Sequence, residues 1–406
     1  MYALFIRKIK GIDKVDFHEI NSIKAKLSTL QHSCDIVFNG ENLFLLSLPF
    51  PSKRIYTCRI YMRILFFQLI FCCVLLASSL PAVAQQGFEE VLKTIVKIRA
   101  TIPEDARTAK MLGREREGNG VVIDADGHIL TIGYIILEAE SVEIVGPNEM
   151  STLATVVGYD HNTGFGLIRA QKPVGIKPIQ LGHSSELKEG APILVVGYGG
   201  KDAIQAVRIV SQKAFAGYWE YLVENAIFTV PPISNFGGAA LIGPDGRLLG
   251  IGSLFTQITV QGLGIIPCNM FVPIDLLKPI LNDLKTIGRT REPSKPWLGL
   301  HAEEAHGRVI VIRTTPDGPA ESAGIKTGDV VVAVKGKPVK GLADFYRKVW
   351  ALGNAGIEVP LKILQDIKIR EIKIRSADRY RYFKLKPTKR VNVAVSFNSY
   401  CLESSR

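Results

Sequence analysis

The 406-residue chain predicts a mainly β protein: antiparallel β-barrels followed by a second, smaller domain. Three observations carry this. Short apolar runs alternate with polar residues and are punctuated by Gly, Asn and Asp, the mark of hairpins rather than βαβ units. Gly (37) and Pro (21) are plentiful beside many Val/Ile runs. Apolar residues make up 47% of the chain, enough for the ordinary packed cores of two or three domains.

Residues 1–61 (MYALFIRKIKGIDKVDFHEI…) show no sustained period and are read as an upstream extension that is not native, a misplaced start. Residues 62–86, MRILFFQLIFCCVLLASSLPAVAQQ, join a positive Arg63, an apolar run and small residues at Ala82 and Ala84. They describe a signal peptide over 62–84 with the cut after Ala84, and hence a secreted or periplasmic protein. A membrane anchor is the alternative, because the apolar run nears the shortest spanning length of about 17 residues; the small-residue exit favours cleavage. Neither Cys72 nor Cys73 follows the small residues of a lipid-attachment box. After the cut Cys268 and Cys401 remain, enough for one pair but not for a disulfide framework.

EEVLKTIVKIRA (89–100) begins at helical spacing and ends β-branched, a short helix running into a strand. GNGVVIDADGHILTIG, SVEIVG, LATVVGYD, GFGLIRA, APILVVGYGG and AVRIVSQKAFAG then read as strands. VPIDLLKPILNDLKTIG (272–288) is an amphipathic helix closing the unit. GRTREPSKP is a polar linker over 288–296. The second domain spans 297–380: the strand VIVIRTT, a turn-rich run to KGKPVKG, the helix LADFYRKVWALG, and the strands EVPLKILQ and IREIKIRS. The tail, 381–406, carries no helix or turn logic from Thr388 onward.

The formal charge of +12 is weighted to the ends, with nine Lys/Arg against five Asp/Glu in 1–61 and three against one in 388–406. The body is a solvated surface of both signs, not a basic stripe, so no nucleic-acid partner is expected. There is no HExxH, no paired CxxC and no phosphate loop, since Gly262-Leu263-Gly264 lacks the strand–glycine–helix context; no metal and no cofactor are expected. His128, His161 and His183 read as solvated loop histidines. The aromatic cluster Phe215, Tyr218, Trp219 and Tyr221 invites a ligand platform, but at strand spacing it is more often barrel core and edge.

Four stretches in order resemble the HtrA/Deg family of secreted trypsin-like serine proteases, two barrels followed by a PDZ domain. GNGVVIDADGHILTIGYIILEAE resembles the hairpin that ends in the family's histidine motif, VVGYDHNTGFGLIRA its aspartate strand, and SNFGGAALIGPDGRLLGI its serine loop. PWLGLHAEE with GPAESAGIKTGDVVVAVKGKPV resembles the PDZ carboxylate loop and core turn. The resemblance implies a trypsin-like double barrel over 85–287 and a PDZ domain over 297–380.

Against that pattern the three triad positions hold Tyr134, Gly164 and Phe236. Tyrosine is a poor base at neutral pH, glycine orients nothing and phenylalanine has no nucleophilic atom. Ser234 and Phe236 would outline only a vestigial oxyanion loop, and Phe236 is expected to plug the old cleft near Tyr134, largely buried. The expectation is therefore a degenerate triad and no enzyme: a pseudoprotease that binds peptides or protein C-termini, a scaffold or regulator in envelope quality control. The alternative is an active endopeptidase with a non-standard or relocated triad. Peptide binding falls to Leu298, Gly299 and Leu300, whose backbone N–H groups would hold a C-terminal carboxylate while the ligand adds a strand. Whether the chain forms a homo-oligomer is left open.

Overall fold

The computed structural model describes residues 89–172, 175–262 and 264–383. The upstream extension, the signal segment with its cut, Cys401 and the tail from 384 lie outside them. Residues 89–93 are helical and lead into the first barrel. Its strands are β1 (Ile95–Thr101), β2 (Glu115–Val122), β3 (His128–Ile132), β4 (Ser141–Val145), β5 (Ser151–Tyr159) and β6 (Phe165–Ala170), closed in the order β1-β2-β3-β6-β5-β4. The second holds β7 (Pro192–Val196), β8 (Ile204–Gly217), β9 (Tyr221–Val230), β10 (Ala240–Ile242), β11 (Leu248–Val260) and β12 (Gly264–Pro273), in the order β10-β11-β12-β9-β8-β7. Numbered from its own first strand, it has the same order as the first.

Closure leaves the barrel walls without free edges, and the β-branched and aliphatic residues that face inward supply the cores. Val96, Ile98, Val121, Ile129, Leu167 and Ile168 are fully buried in the first barrel, and Val195, Ile209, Ile227, Leu241 and Phe271 in the second. Each such side chain contributes roughly 1.5–3 kcal/mol of burial.

The predicted helix over 272–288 is shorter than its apolar spacing suggested. Strand β12 continues to Pro273, Ile274–Leu276 form a tight turn, and only Leu281–Ile287 are α-helical. Pro279 explains the loss, because it has no N–H to give and its ring crowds the preceding turn.

The C-terminal domain is a sheet of β13 (Leu300–Ala305), β14 (Arg308–Thr314), β15 (Val330–Val334), β17 (Glu358–Gln365) and β18 (Lys368–Arg375), with β16 (Lys337–Pro338) paired to β15. Strand β13 stands at the edge. Helix Leu342–Trp350 covers the sheet with Leu342, Phe345, Tyr346 and Val349, whose spacing places all four on one face. Its first turn is capped from the sheet, the Leu342 N–H donating to Glu304 Oε2 at 2.8 Å. In β18 the chain keeps Ile374 in the core and leaves Ile369 exposed, a solvated outer face.

Candidate functional site

At the seam between the barrels the structure brings Tyr134, Gly164 and the loop of Phe236 close to one another. Strand β3 runs into the turn Gly133–Ile135. The Gly133 N–H donates to the Gly164 carbonyl at 2.7 Å, which ties the Tyr134 turn to the start of β6. The half-buried Tyr134 ring sends its hydroxyl to the Ser253 carbonyl at 3.1 Å, and burial holds this phenol well above its usual pKa. The same hydroxyl would lie 2.8 Å from a Cβ on Gly237.

The loop carrying Phe236 is anchored by Asn119, a residue the sequence did not single out. Asn119 is buried on β2; its side chain donates to Asn235 Oδ1 at 2.9 Å and to the Gly237 carbonyl at 3.0 Å. Its Oδ1 accepts the Tyr198 N–H at 2.7 Å, so one amide joins both barrels to the loop. Gly238 sits at φ 74°, and a Cβ there would overlap the Asn119 carbonyl oxygen. Only glycine fits.

Phe236 departs from expectation. It is half-buried rather than largely buried, and its ring joins none of the hydrophobic core clusters. What packs inward is its backbone: the Phe236 carbonyl accepts the Ala239 N–H at 3.0 Å and lies against Gly252. Ser234 is exposed on the same loop.

Two of the histidines are also not solvated. His128 is buried at the start of β3, its Nδ1 2.9 Å from Asp124. His161 is buried among Tyr159, Tyr380 and Phe383, and neither ring nitrogen has a hydrogen-bond partner. His183 is exposed, as read. Among the described residues Asp124, Asp126 and His128 are spaced to share a cation, but Lys285 Nζ already stands 2.5 Å from Asp124.

The second place is the loop Leu298-Gly299-Leu300. All three residues are buried, and Gly299 adopts φ 74°, which turns successive N–H groups toward one point. The acceptor at that point is the carboxylate of Glu220. It accepts the Leu298 N–H at 2.9 Å and the Leu300 N–H at 2.8 Å. Glu220 lies in the β8–β9 turn, far from the loop in sequence and buried at 5% exposure. Burial is the largest influence on its carboxyl and pushes its pKa up to about 7, against the lowering pull of the loop N–H groups and the Arg379 guanidinium.

The turn is pinned on every side. The Ala302 N–H on β13 donates to the Tyr218 carbonyl at 2.8 Å. The Tyr346 hydroxyl, from helix Leu342–Trp350, donates to the Gly217 carbonyl at 2.8 Å and accepts the Glu220 N–H at 3.2 Å. Arg379 donates to the Glu220 carbonyl at 3.2 Å. Leu222 packs in the core of the C-terminal domain. Glu220 itself has φ 55°, a left-handed backbone that costs a non-glycine residue about 1 kcal/mol. The signal available in the sequence was a lone acidic residue inside the aromatic run YWEYL.

Two family profiles span the stretches that hold these places. The profile of the trypsin-like peptidase domain matches residues 118–251, and that of the PDZ domain matches 296–375. A probable periplasmic serine endoprotease DegP-like of Pseudomonas fluorescens is 26% identical over 302 residues, covering 71% of this chain and 62% of the relative. Its counterpart in Pseudomonas fulva is 28% identical over 315 residues, covering 73% and 62%. The periplasmic serine endoprotease DegP of Escherichia coli is 28% identical over 265 residues, covering 62% and 55%. The chain thus spans at most 62% of the length of these curated relatives. A solved HtrA-type protease AlgW with tripeptide overlays at TM-score 0.46 with 16% identity, covering 75% of this chain and 98% of that one.

These relatives correct one expectation. The reading of the chain as no enzyme rested on three side chains, Tyr134, Gly164 and Phe236, whereas the proteins it matches across both domains are named serine endoproteases. What the sequence and the structure carry together is a trypsin-like double barrel followed by a PDZ domain.

Proposed function

We propose that this chain works in the periplasm as an HtrA-type protein whose PDZ domain (297–380) captures the C-termini of peptides or partner proteins beside its double barrel (85–287), in envelope protein quality control. The observation that supports this reading is the carboxylate held by the Leu298 and Leu300 N–H groups: the loop has the geometry to receive one. Strand β13 at the sheet edge and helix Leu342–Trp350 would form the two walls of the groove, which suits a ligand strand with an apolar last residue. The periplasmic location rests on the relatives' names and on the signal read in 62–84.

The test is a titration of the purified protein with fluorescent peptides ending in an apolar residue, as free acids and as C-terminal amides. Carboxylate capture predicts at least tenfold weaker binding of the amide, in line with the loss of charge-assisted hydrogen bonds. It also predicts weaker binding of the acid to Gly299→Val, because a β-branched residue is strained at φ 74°. Equal affinity for acid and amide would overturn it. The endoprotease activity of the relatives is assayed in parallel with a fluorophosphonate probe, with Ser234→Ala as the control variant for the loop.

A further inference from the structure

The β8–β9 turn occupies the features that a C-terminal peptide would need. Its Glu220 carboxylate fills the N–H cradle of Leu298 and Leu300, its Tyr218 carbonyl takes the edge N–H of Ala302, and its Gly217 carbonyl takes the hydroxyl of Tyr346 from the opposite wall. Cradle, edge strand and helix are the three surfaces by which an extended ligand is held. Two carboxylates cannot share one cradle, since like charges at that distance repel.

Accordingly, we infer that residues Gly217–Glu220 are a tethered internal ligand of the PDZ groove, which an incoming C-terminus occupies only by displacing this turn and the Glu220 carboxylate. The inference rests on the carboxylate-capture reading above and adds its regulation. Because the turn belongs to the same chain, it competes at a fixed, high effective concentration, and the apparent affinity for an outside peptide falls by the fraction of molecules in which the turn is out. The left-handed backbone at Glu220 favours release, and the carboxylate is held at a site where burial opposes its charge. The bound turn is therefore a state that a ligand can replace.

The experiment measures the affinity of fluorescein-Ala-Gly-Tyr-Trp-Val, as free acid and as amide, for the wild-type protein and for Glu220→Ala and Glu220→Gln. The free acid is expected to bind Glu220→Ala at least tenfold more tightly than wild type and Glu220→Gln several-fold more tightly, with the amide weak throughout. Glu220→Gln keeps an oxygen toward Leu298 and Leu300, so it decides the question should Glu220→Ala lose its cooperative melt. Equal affinity of the free acid for wild type and for the folded variants overturns the tether while leaving carboxylate capture standing. Equal binding of acid and amide overturns capture itself, and the tether with it.

Discussion

In the first barrel the hairpin of the second and third strands is short, eight and five residues around the Asp124–Gly127 turn. In the second barrel its counterpart, β8 and β9, runs fourteen and ten residues. The strand order is otherwise the same. Strand β12 pairs with β9 only at Ile227–Thr229, so the segment in which Phe215–Gly217 face Tyr221–Val223 extends past that wall. That extension carries Glu220 to the C-terminal domain and covers the edge of β13, which would otherwise offer unpaired backbone groups to any strand. The first barrel's hairpin reaches its sister barrel, through Asn119, while the second uses its extra length to hold the neighbouring domain's groove.

If this division is right, damage at the barrel seam changes stability without changing the preference for acid over amide, and damage along the long hairpin changes peptide binding. The largest effect is expected at the seam. Gly238→Ala forces a Cβ into the Asn119 carbonyl at a left-handed φ, and should cost about 3 kcal/mol in urea unfolding while the preference for acid over amide persists. Loss of that preference in a folded Gly238→Ala protein would break the comparison.

Tyr346→Phe comes next. It removes the hydroxyl that serves both Gly217 and Glu220, leaving two buried backbone groups without it. A stability loss of about 1–2 kcal/mol and a several-fold gain in peptide affinity are expected, read by melting and anisotropy.

The third prediction concerns pH. The Glu220 carboxyl titrates at about 7 in the closed turn, raised by burial from the ordinary 4.5 it would regain once released. The closed state therefore binds a proton more tightly, so acid favours closure and rising pH favours opening. The groups facing Glu220 are the N–H groups of the loop, the Tyr346 hydroxyl and the Arg379 guanidinium. His301 of the adjoining edge strand is pulled down to about 4, chiefly by burial, and the buried His161 is also lowered, so neither changes charge above pH 5.5 by this route. A peptide carboxylate, with a pKa of about 3.5, stays ionised. Affinity for the free acid should rise about tenfold from pH 5.5 to 8.5 in wild type and stay flat in Glu220→Gln.

The smallest effect belongs to Arg347, whose guanidinium grips Glu224 of β9 through a bidentate pair that is half exposed on both sides. Arg347→Ala should shift peptide affinity less than about fivefold, because such pairs contribute at most about 1 kcal/mol.

Much of this architecture was legible in the sequence, because period-two strands and Gly/Asp turns are local signals. The strand from Ile95, the Asp-Ala-Asp-Gly turn and the helix from Leu342 all stand where their residues suggested. The cluster Phe215, Tyr218, Trp219 and Tyr221 was read as core and edge, and Tyr221 is buried while Tyr218 is exposed. Asn119 and Glu220 were missed for one reason. Their partners lie on other elements, at Asn235 and at Leu298, and no local pattern marks a side chain whose role is set by tertiary approach. Phe236 misled in the opposite way, since its ring suggested a plug where the backbone does the packing.

Hydrogen exchange by mass spectrometry tests the tether most directly, comparing segments 215–222 and 297–302 with and without saturating free-acid peptide. The account predicts that peptide binding deprotects 215–222, as the turn leaves the groove, while 297–302 stays protected because one carboxylate has replaced another. Peptide that binds at saturation and leaves 215–222 as protected as before would contradict it.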